Sequence, residues 1–256
     1  MKLNQKFKMQ KTVIITGTSG LLGKSLVSSF IKNGYFVLGL DKIDKIKNQE
    51  NFLYLKCDIS NENNIMKTFK IIRKKKFNVV TLVNNAAIDH KVEGKKGFNF
   101  TTYKLSDWKK VMSINIDAMF LVSKYSCKIF EKNNFGNIIN VSSTYGIVAP
   151  DNSIYKSLGK FKKSIDYPTS KSAVIGFTKS LASYYVNKKI RVNCICPGGI
   201  YDNQDKNFIK NYSKRTILGR MAKVEEISNA ISYLASDESS YMTGSILVVD
   251  GGWTTI

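Results

Sequence analysis

The sequence predicts an α/β fold: a doubly wound, parallel sheet of about seven strands with helices on both faces. Segments with the hydrophobic period of a helix alternate with short apolar runs along the chain. Runs such as TVIIT and NIINV are apolar on both faces, which is typical of parallel strands buried between two layers of helices. A glycine-rich turn follows the first of these runs and opens the first helix.

The pattern continues to the end of the chain without a repeat or a flexible linker, so it predicts one domain over residues 11–256 after a polar extension over residues 1–10. We predict strands at residues 11–17, 35–41, 51–58, 78–87, 137–143, 190–199 and 245–252. We predict helices at residues 21–34, 61–76, 106–133, 168–188 and 224–237. Two irregular segments, at about 144–166 and 200–222, are left as candidate substrate loops.

Composition limits the function classes. The 256 residues are 43% hydrophobic, enough for one large core, and no run is long and apolar enough to span a membrane. The net charge of +21 suggests a nucleic-acid partner, but only four of the 40 basic residues are arginine, the residue best suited to forked contacts with phosphates and bases. We therefore predict no nucleic-acid partner and a surface on which lysine is merely abundant.

The four cysteines, Cys57, Cys127, Cys194 and Cys196, form no CxxC pair and lie in apolar segments. This pattern predicts buried thiols in a reducing cytoplasm, with neither a disulfide nor a metal site.

The glycine-rich turn has the features of a dinucleotide site. Gly17, Gly20 and Gly23 permit a tight turn, close approach of a pyrophosphate to backbone N–H groups, and close packing of helix on strand. Asp41 ends the second strand, where a carboxylate accepts hydrogen bonds from an adenosine ribose and repels a 2′-phosphate. The Asp41 carboxylate therefore predicts NAD rather than NADP as the cofactor.

With these motifs in place, the chain resembles the short-chain dehydrogenase/reductase family from residue 11 to residue 252. NNAA (84–87) is similar to the family's NNAG motif, PGG (197–199) to its turn beside the nicotinamide, and SSYMTGSILVVDGG (239–252) to its closing strand. Three positions depart from the classical pattern. The glycine turn reads TGxxGxxG, Ala87 replaces a glycine, and Asp202 stands where a threonine often contacts the nicotinamide amide.

The resemblance implies a Rossmann-type fold, an NAD-dependent oxidoreductase and a set of cofactor-binding residues. Within that set, Asp58 matches the acidic residue that contacts adenine. The cofactor-binding residues implied are Gly17, Ser19, Gly20, Leu22, Gly23, Asp41, Asp58, Ile59, Asn85, Ala86, Tyr167, Lys171, Pro197, Gly198 and Ile200.

Two tyrosines, Tyr155 and Tyr167, compete for the family's acid–base position. The family's chemistry needs a lysine one helical turn after the tyrosine, where its cation stabilises the phenolate and lowers the phenol's pKa. Tyr155 has Gly159 at that position, whereas Tyr167 has Lys171 and begins a long helix. The sequence therefore predicts Tyr167 as the catalytic tyrosine, with an insertion of roughly eleven residues ahead of it.

Two further catalytic residues are implied by the resemblance. Ser143, at the end of a strand, matches the serine that hydrogen-bonds the reacting oxygen, and we expect its neighbour Ser142 to point away. Asn115 matches the helix asparagine that holds a water in the proton relay to the lysine. The predicted catalytic set is thus Asn115, Ser143, Tyr167 and Lys171.

The insertion before Tyr167 carries Lys156, Lys160, Lys162 and Lys163. One hypothesis makes them a positive rim that attracts an anionic substrate, and the alternative makes them ordinary solvated lysines. His90 and the aromatic residues Tyr145, Phe161 and Trp253 are open between structural and substrate-binding roles.

The insertion and the segment after the sixth strand resemble a subgroup from bacterial surface-polysaccharide and flagellin-modification gene clusters, which implies a sugar or sugar-derived substrate. Two alternatives stay open: an NADPH-dependent 3-oxoacyl-carrier-protein reductase, and a non-catalytic dinucleotide-binding protein. Relatives pair through their long helices and last strand, so the resemblance also implies a homodimer or homotetramer.

Overall fold

The computed structural model of the chain describes residues 10–43, 47–89, 99–158 and 163–256. Within these ranges the strands form one parallel, seven-stranded sheet with the order β3-β2-β1-β4-β5-β6-β7. The strands are β1 (Thr12–Thr16), β2 (Phe36–Asp41), β3 (Phe52–Lys56), β4 (Val79–Asn84), β5 (Gly136–Val141), β6 (Ile190–Pro197) and β7 (Ile246–Val249). The prediction of a doubly wound sheet is confirmed.

Seven α-helices connect the described strands. They are α1 (Leu21–Lys32), α2 (Glu62–Lys75), α3 (Leu105–Met112), α4 (Ala118–Asn133), α5 (Asp166–Tyr184), α6 (Lys206–Ser213) and α7 (Val224–Ala235). None of the helices in these ranges is long and apolar enough to cross a membrane.

Alternate residues of β1 enter two separate cores, as the two-residue repeat of a strand requires. Ile14 packs with Phe69 of α2 and Phe130 of α4 on one face of the sheet. Val13 and Ile15 pack on the other face, in the core that also contains side chains of α1 and α7. All three β1 residues are fully buried, which explains why the strand reads as an unbroken apolar run.

The strand order changes direction at β1: β2 and β3 lie on one side of β1, and β4 to β7 lie on the other. In open parallel sheets the crevice for ligands lies beyond the carboxyl ends of the strands at such a reversal. The glycine turn after β1 and the NNAA segment after β4 both lie there. The topology therefore collects the predicted cofactor and catalytic residues at one edge of the sheet.

Two elements differ from the sequence prediction. The expected continuous helix over 106–133 is α3 and α4 joined by one π-helical turn, Ser113–Asp117. The segment after β6, predicted as irregular, contains α6, whose N-cap Asp205 accepts hydrogen bonds from the backbone of Asn207 and Phe208. An aspartate followed by an amphipathic run is a recognised helix start, so this signal was present in the sequence.

The remaining differences are at element ends. The predicted strand over 78–87 ends at Asn84, because Asn85 leaves the ladder and its amide nitrogen donates to the carbonyl of Thr16 at 2.9 Å. The predicted helix over 168–188 starts at Asp166 and ends at Tyr184. All four cysteines are free and buried, as predicted.

Candidate active site

The glycine turn after β1 brings the backbone close to its neighbours. Gly17 has a φ of +73°, and a Cβ there would lie 2.8 Å from the Cα of Ala86. A Cβ at Gly23 would overlap the carbonyl oxygen of Gly17 and lie 2.8 Å from the Cα of Thr18. Both positions therefore require glycine. Gly20 is the N-cap of α1, and the nearest atom to a Cβ there is 3.6 Å away, so this side of the turn is open.

Two carboxylates flank the turn. Asp41 accepts hydrogen bonds from the Ser19 backbone N–H at 2.9 Å and from the Ser19 hydroxyl at 2.6 Å. Its other oxygen accepts from the backbone N–H of Lys42 at 2.8 Å. Asp58 accepts from the hydroxyl of Ser60 at 2.7 Å. The second strand thus delivers a fixed acidic group to the rim of the glycine turn.

A cleft of about 590 Å³ runs over this region. Every predicted cofactor residue from the first half of the chain lines it: Gly17, Ser19, Gly20, Leu22, Gly23, Asp41, Asp58, Ile59, Asn85 and Ala86. A second cavity of about 330 Å³ shares Leu22, Asn85 and Ala87 with the first. The second cavity contains Ser143, Tyr167, Lys171, Pro197, Gly198 and Ile200, so the two volumes together bring the predicted set into one continuous groove.

Ser143 and Tyr167 meet in the second cavity. Ser143 follows β5 in extended conformation, and both side chains line this cavity, where Ser143 acts to lower the pKa of the Tyr167 phenol. Ser142 points the other way, and its hydroxyl donates to the carbonyl of Lys171 at 2.7 Å. The alternation of side chains at a strand end separates the two serines in this way.

Lys171 lies one turn after Tyr167 in α5, with its ammonium 5.6 Å from the centre of the Tyr167 ring. The ammonium donates a hydrogen bond to the carbonyl of Val141 at 2.8 Å. Burial lowers the pKa of Lys171 to about 8. At neutral pH the side chain therefore stays cationic, but close to the point at which it loses its proton.

The expected lowering of the Tyr167 pKa is wrong for this structure. Burial raises the pKa of the Tyr167 phenol, and the nearby Asp89 carboxylate raises it further, whereas the hydrogen bond to Ser143 opposes both. The spacing of Tyr167 and Lys171 indicates only the effect of the lysine on the phenol's pKa. Burial of the phenol and the acidic residue from the loop after β4 act only in the folded chain.

Asn115 lies in the π-helical turn between α3 and α4 and is buried. Its side-chain nitrogen donates to Ser170 Oγ at 2.9 Å and to the carbonyl of Ile88 at 3.0 Å. A cavity of about 10 Å³, lined by Asn115, Asn84 and Lys171, lies between the asparagine and the lysine. That volume matches a single water molecule. The relay role of Asn115 stays a prediction.

Tyr155 also lines the second cavity, although its environment differs from that of Tyr167. Its hydroxyl is 3.0 Å from the hydroxyl of Tyr145, and its ring packs on Phe208 with centroids 5.4 Å apart. Burial raises its pKa to about 12. The structure thus pairs Tyr155 with another phenol and Tyr167 with Ser143.

The turn after β6 also lines the second cavity. The backbone N–H of Gly199 donates to the hydroxyl of Tyr212 from α6. The Tyr212 ring stacks on Trp253 with centroids 4.4 Å apart. Trp253 and Tyr212 are buried, whereas Tyr145 borders the cavity. Of the aromatic residues whose role the sequence left open, Trp253 is therefore part of a core cluster and Tyr145 lies where a substrate would bind. Sequence analysis missed Tyr212, because α6 was not predicted.

For Lys163 the structure contradicts the alternative of an ordinary solvated lysine, whereas attraction of an anionic substrate stays a prediction. The Lys163 side chain is 9% exposed and forms an ion pair with Asp89, so it is neither solvated nor unpaired. Lys160, Lys162, Phe161 and His90 lie outside the described residues, as does the side chain of Lys156. Sequence reasoning also missed Asp89, because nothing in the linear pattern places the end of NNAAID beside the insertion.

The residues fit a bound dinucleotide. The N-terminus of α1 and the backbone N–H groups of the glycine turn provide a site for a pyrophosphate, and the absence of side chains at Gly17 and Gly23 allows the turn to close. The Asp41 carboxylate faces the position of an adenosine ribose in this type of turn. Tyr167, Lys171 and the 197–200 turn surround the other end of the groove.

Comparison with known proteins supports this interpretation. A family model described as enoyl-(acyl carrier protein) reductase matches residues 37–254. A 3-oxoacyl-[acyl-carrier-protein] reductase, FabG, from Buchnera aphidicola is 31% identical over 95% of this chain and 97% of its own length. A post-translational flagellin modification protein A from Campylobacter coli is 30% identical over 95% of this chain and 98% of its own length.

A longer rhizobial protein, an uncharacterized short-chain type dehydrogenase/reductase from Sinorhizobium fredii, is 31% identical over 96% of this chain, which spans 44% of that relative. Among solved structures, the short chain dehydrogenase of Leptospira borgpetersenii with bound NAD+ superposes with a TM-score of 0.87 and 32% identity, over 98% of this chain and 95% of that one. The fold, the groove and these matches lead to one conclusion: the chain belongs to the short-chain dehydrogenase/reductase family and is an oxidoreductase of that type.

Proposed function

We propose that the protein transfers hydride between NAD(H) and a secondary alcohol or ketone of a sugar or sugar-derived precursor in bacterial surface-glycan synthesis. One observation carries the reaction class: Ser143, Tyr167 and Lys171 converge on one cavity at the end of the predicted dinucleotide groove. The spacing of Tyr167 and Lys171 on one face of α5 supports their joint role.

In this proposal each side chain has a separate task. The Ser143 hydroxyl hydrogen-bonds the substrate oxygen and orients it. The Tyr167 phenol donates its proton to that oxygen during ketone reduction and, as phenolate, accepts it during alcohol oxidation. The Lys171 cation stabilises the phenolate, and Asn115 orders the water next to Lys171. The bound nicotinamide supplies or accepts the hydride.

The choice of NAD over NADP rests on Asp41. The carboxylate is held by the Ser19 backbone and hydroxyl at the rim of the glycine turn, so it cannot swing away from a 2′-phosphate without losing two hydrogen bonds. The relative from Leptospira, of known structure, has NAD+ bound. Both observations support NAD.

The substrate class rests on resemblance. The flagellin modification relative supports a sugar-derived substrate. The second candidate, 3-oxoacyl-carrier-protein reductase, is favoured by the FabG relative and by the description of the family model. The Asp89–Lys163 ion pair beside Tyr167 is a polar feature that a hydroxyl-rich substrate uses better than an acyl chain does.

We also propose a homodimer or homotetramer. Phe120 of α4 is 47% exposed and contacts Phe177 of α5, while Val248 is 41% exposed on the edge strand β7. Apolar groups on two long helices and on a sheet edge support pairing of identical chains there. The four free, buried cysteines support a reducing compartment such as the cytoplasm.

The decisive experiment compares two phenol deletions. Tyr167→Phe removes the proton donor with little loss of volume, so we expect kcat for NADH-dependent ketone reduction to fall at least about 1,000-fold, while the Kd for NADH, measured by fluorescence titration, changes less than about threefold.

Tyr155→Phe is the matched control, because it deletes a phenol oxygen that lines the same cavity and lies 3.0 Å from the Tyr145 hydroxyl. We expect kcat to change less than about tenfold. A dead Tyr155→Phe enzyme beside an active Tyr167→Phe enzyme would reverse the assignment of the catalytic tyrosine.

A further inference from the structure

Two oppositely charged side chains in the wall of the catalytic cavity form an ion pair. Asp89, just beyond β4, and Lys163, in the insertion before α5, are 74 residues apart in sequence, yet their side chains are hydrogen-bonded. The Lys163 side chain is 9% exposed and that of Asp89 is 41% exposed. The lysine is thus shielded from water while the carboxylate stays in contact with it, so the pair is intermediate between a buried and a surface ion pair.

The pair lies directly beside the proposed reacting centre. The Lys163 ammonium is 4.8 Å from the centre of the Tyr167 ring and 5.9 Å from that of Tyr145. Asp89, Lys163, Tyr167 and Ser143 all line the same cavity of about 330 Å³. A substrate oxygen placed between Ser143 and Tyr167 therefore brings the neighbouring atoms of the substrate close to the ion pair.

The backbone holds both partners at the site. Lys163 N–H donates to Asn152 Oδ1 at 3.0 Å, which ties the end of the insertion to its beginning. Asp89 follows Ile88, whose N–H donates to Asn115 Oδ1 at 2.8 Å and whose carbonyl accepts from Asn115. The loop that carries Asp89 is thereby fixed to the buried asparagine of the predicted catalytic set.

The electrostatics of the pair select between substrate types. A carboxylate has several acceptor sites and an ammonium has three donors, so one hydrogen bond between them leaves capacity on both sides. A hydroxyl group can donate to Asp89 and accept from Lys163 without separating them. An anion near Lys163 would meet the Asp89 carboxylate, and repulsion there would offset the attraction of the lysine.

Four aromatic side chains form part of the remaining cavity wall. Tyr145, Tyr155, Phe208 and Tyr212 line it. A few convergent polar groups against an apolar wall are the usual composition of a small-molecule site, in which the polar groups set orientation and specificity. Flat aromatic faces suit the C–H faces of a ring that carries hydroxyl groups at its edge.

We propose that Asp89 and Lys163 together recognise a hydroxyl group on the carbon next to the reacting carbon, which makes a neutral, hydroxylated ketone or alcohol the preferred substrate. This inference rests on the proposed oxidoreductase function and defines its substrate class. In the positive-rim hypothesis the lysines attract an anionic substrate. Here the ion pair instead recognises a neutral hydroxyl group, with Lys163 as hydrogen-bond donor and Asp89 as acceptor.

The test uses three ketone probes with NADH: cyclohexanone, 2-hydroxycyclohexanone and 3-oxocyclohexanecarboxylate. We expect the full-length enzyme to prefer the hydroxyketone to cyclohexanone by at least about tenfold in kcat/KM, about 1.4 kcal/mol. The carboxylate should gain nothing over cyclohexanone. Each preference is the ratio of the kcat/KM values of two ketones with the same enzyme, so a general loss of activity in a variant does not change the ratio.

Asp89→Asn and Lys163→Gln should each reduce the hydroxyketone preference about tenfold, mainly through KM. Lys124→Gln is the control, because it breaks an exposed ion pair, with Glu62, whose two residues line neither the cleft nor the catalytic cavity. The preference should survive in that variant.

An unchanged preference in both cavity variants, or no preference in the unmodified enzyme, overturns the inference while leaving the oxidoreductase proposal intact. A preference for the carboxylate that Lys163→Gln abolishes shows anion recognition and also overturns it. Failure of the unmodified enzyme to oxidise NADH with any of the three ketones counts against the proposed function itself, and the inference falls with it.

Discussion

The two ends of the groove are built by different means. At the cofactor end, the turn around Gly17, Gly20 and Gly23 presents mainly backbone groups, because glycine has no side chain that would block the close approach of neighbouring atoms. The second strand adds the Asp41 carboxylate. The substrate end is made of side chains from distant segments, including Asp89, Lys163 and Tyr212. The glycine turn of the first end is contiguous in sequence, whereas the second end is assembled only by folding.

This difference determines which changes each end tolerates. At the glycine turn a single methyl group meets backbone atoms that cannot move independently of the sheet. At the substrate end, outside the predicted catalytic set, a lost hydroxyl or charge removes one contact among several, and neighbouring side chains can adjust. We therefore expect large losses of cofactor affinity from changes at the glycine turn and smaller, graded effects from changes at the substrate end outside the catalytic set.

The largest expected effect on cofactor binding is at Gly23. Gly23→Ala places a Cβ against the carbonyl oxygen of Gly17 and the backbone of Thr18, so the turn must open. We expect the Kd for NADH, measured by calorimetry, to rise at least about 100-fold, about 2.7 kcal/mol.

Gly176→Ala is the matched control, because a Cβ at this helical position meets no atom within 4 Å. It should leave NADH affinity unchanged and raise the melting temperature, since alanine favours helix over glycine. Equal NADH affinities for the two alanine variants would contradict the claim that NADH binding requires the close backbone packing at Gly23.

A smaller effect is expected at Asp41. We expect the unmodified protein to bind NADH at least about tenfold tighter than NADPH, because the carboxylate and a 2′-phosphate repel each other. Asp41→Asn should erase most of that difference by improving NADPH binding, since the amide keeps an acceptor for Ser19 and loses the charge.

Asp58→Asn serves as the comparison for this variant, because Asp58 lines the same cleft and holds Ser60 in a similar way. The ratio of NADH to NADPH affinity should change less than about threefold. If both variants shift the ratio equally, the discrimination comes from the general charge of the cleft instead of from Asp41.

The smallest effect is expected at Tyr212, at the substrate end. Tyr212→Phe leaves the N–H of Gly199 without its hydroxyl acceptor while keeping the ring stacked on Trp253. We expect a loss of about 1–2 kcal/mol in the free energy of unfolding, measured by urea titration. The Kd for NADH should stay within about threefold, and a collapse of NADH binding would show that the two ends are not independent.

The pattern of the sequence was enough to predict the doubly wound sheet, the dinucleotide turn and the pairing of Tyr167 with Lys171. These features depend on neighbours in sequence: strand and helix periods, glycines three residues apart, and a lysine one helical turn from a tyrosine. Residues this close occupy the same element, so the local period fixes their relative positions. The same reasoning gave the buried cysteines.

Tertiary structure decided what depends on distant contacts. The partner of Lys163 is Asp89, 74 residues away, and nothing in the local pattern of either segment indicates the other. The direction of the Tyr167 pKa follows from burial and from Asp89, two influences that exist only after folding. The sequence therefore leaves a positive rim and ordinary solvated lysines both open for the insertion, while the structure shows the described Lys163 paired with Asp89, because folding brings the opposite charge to it.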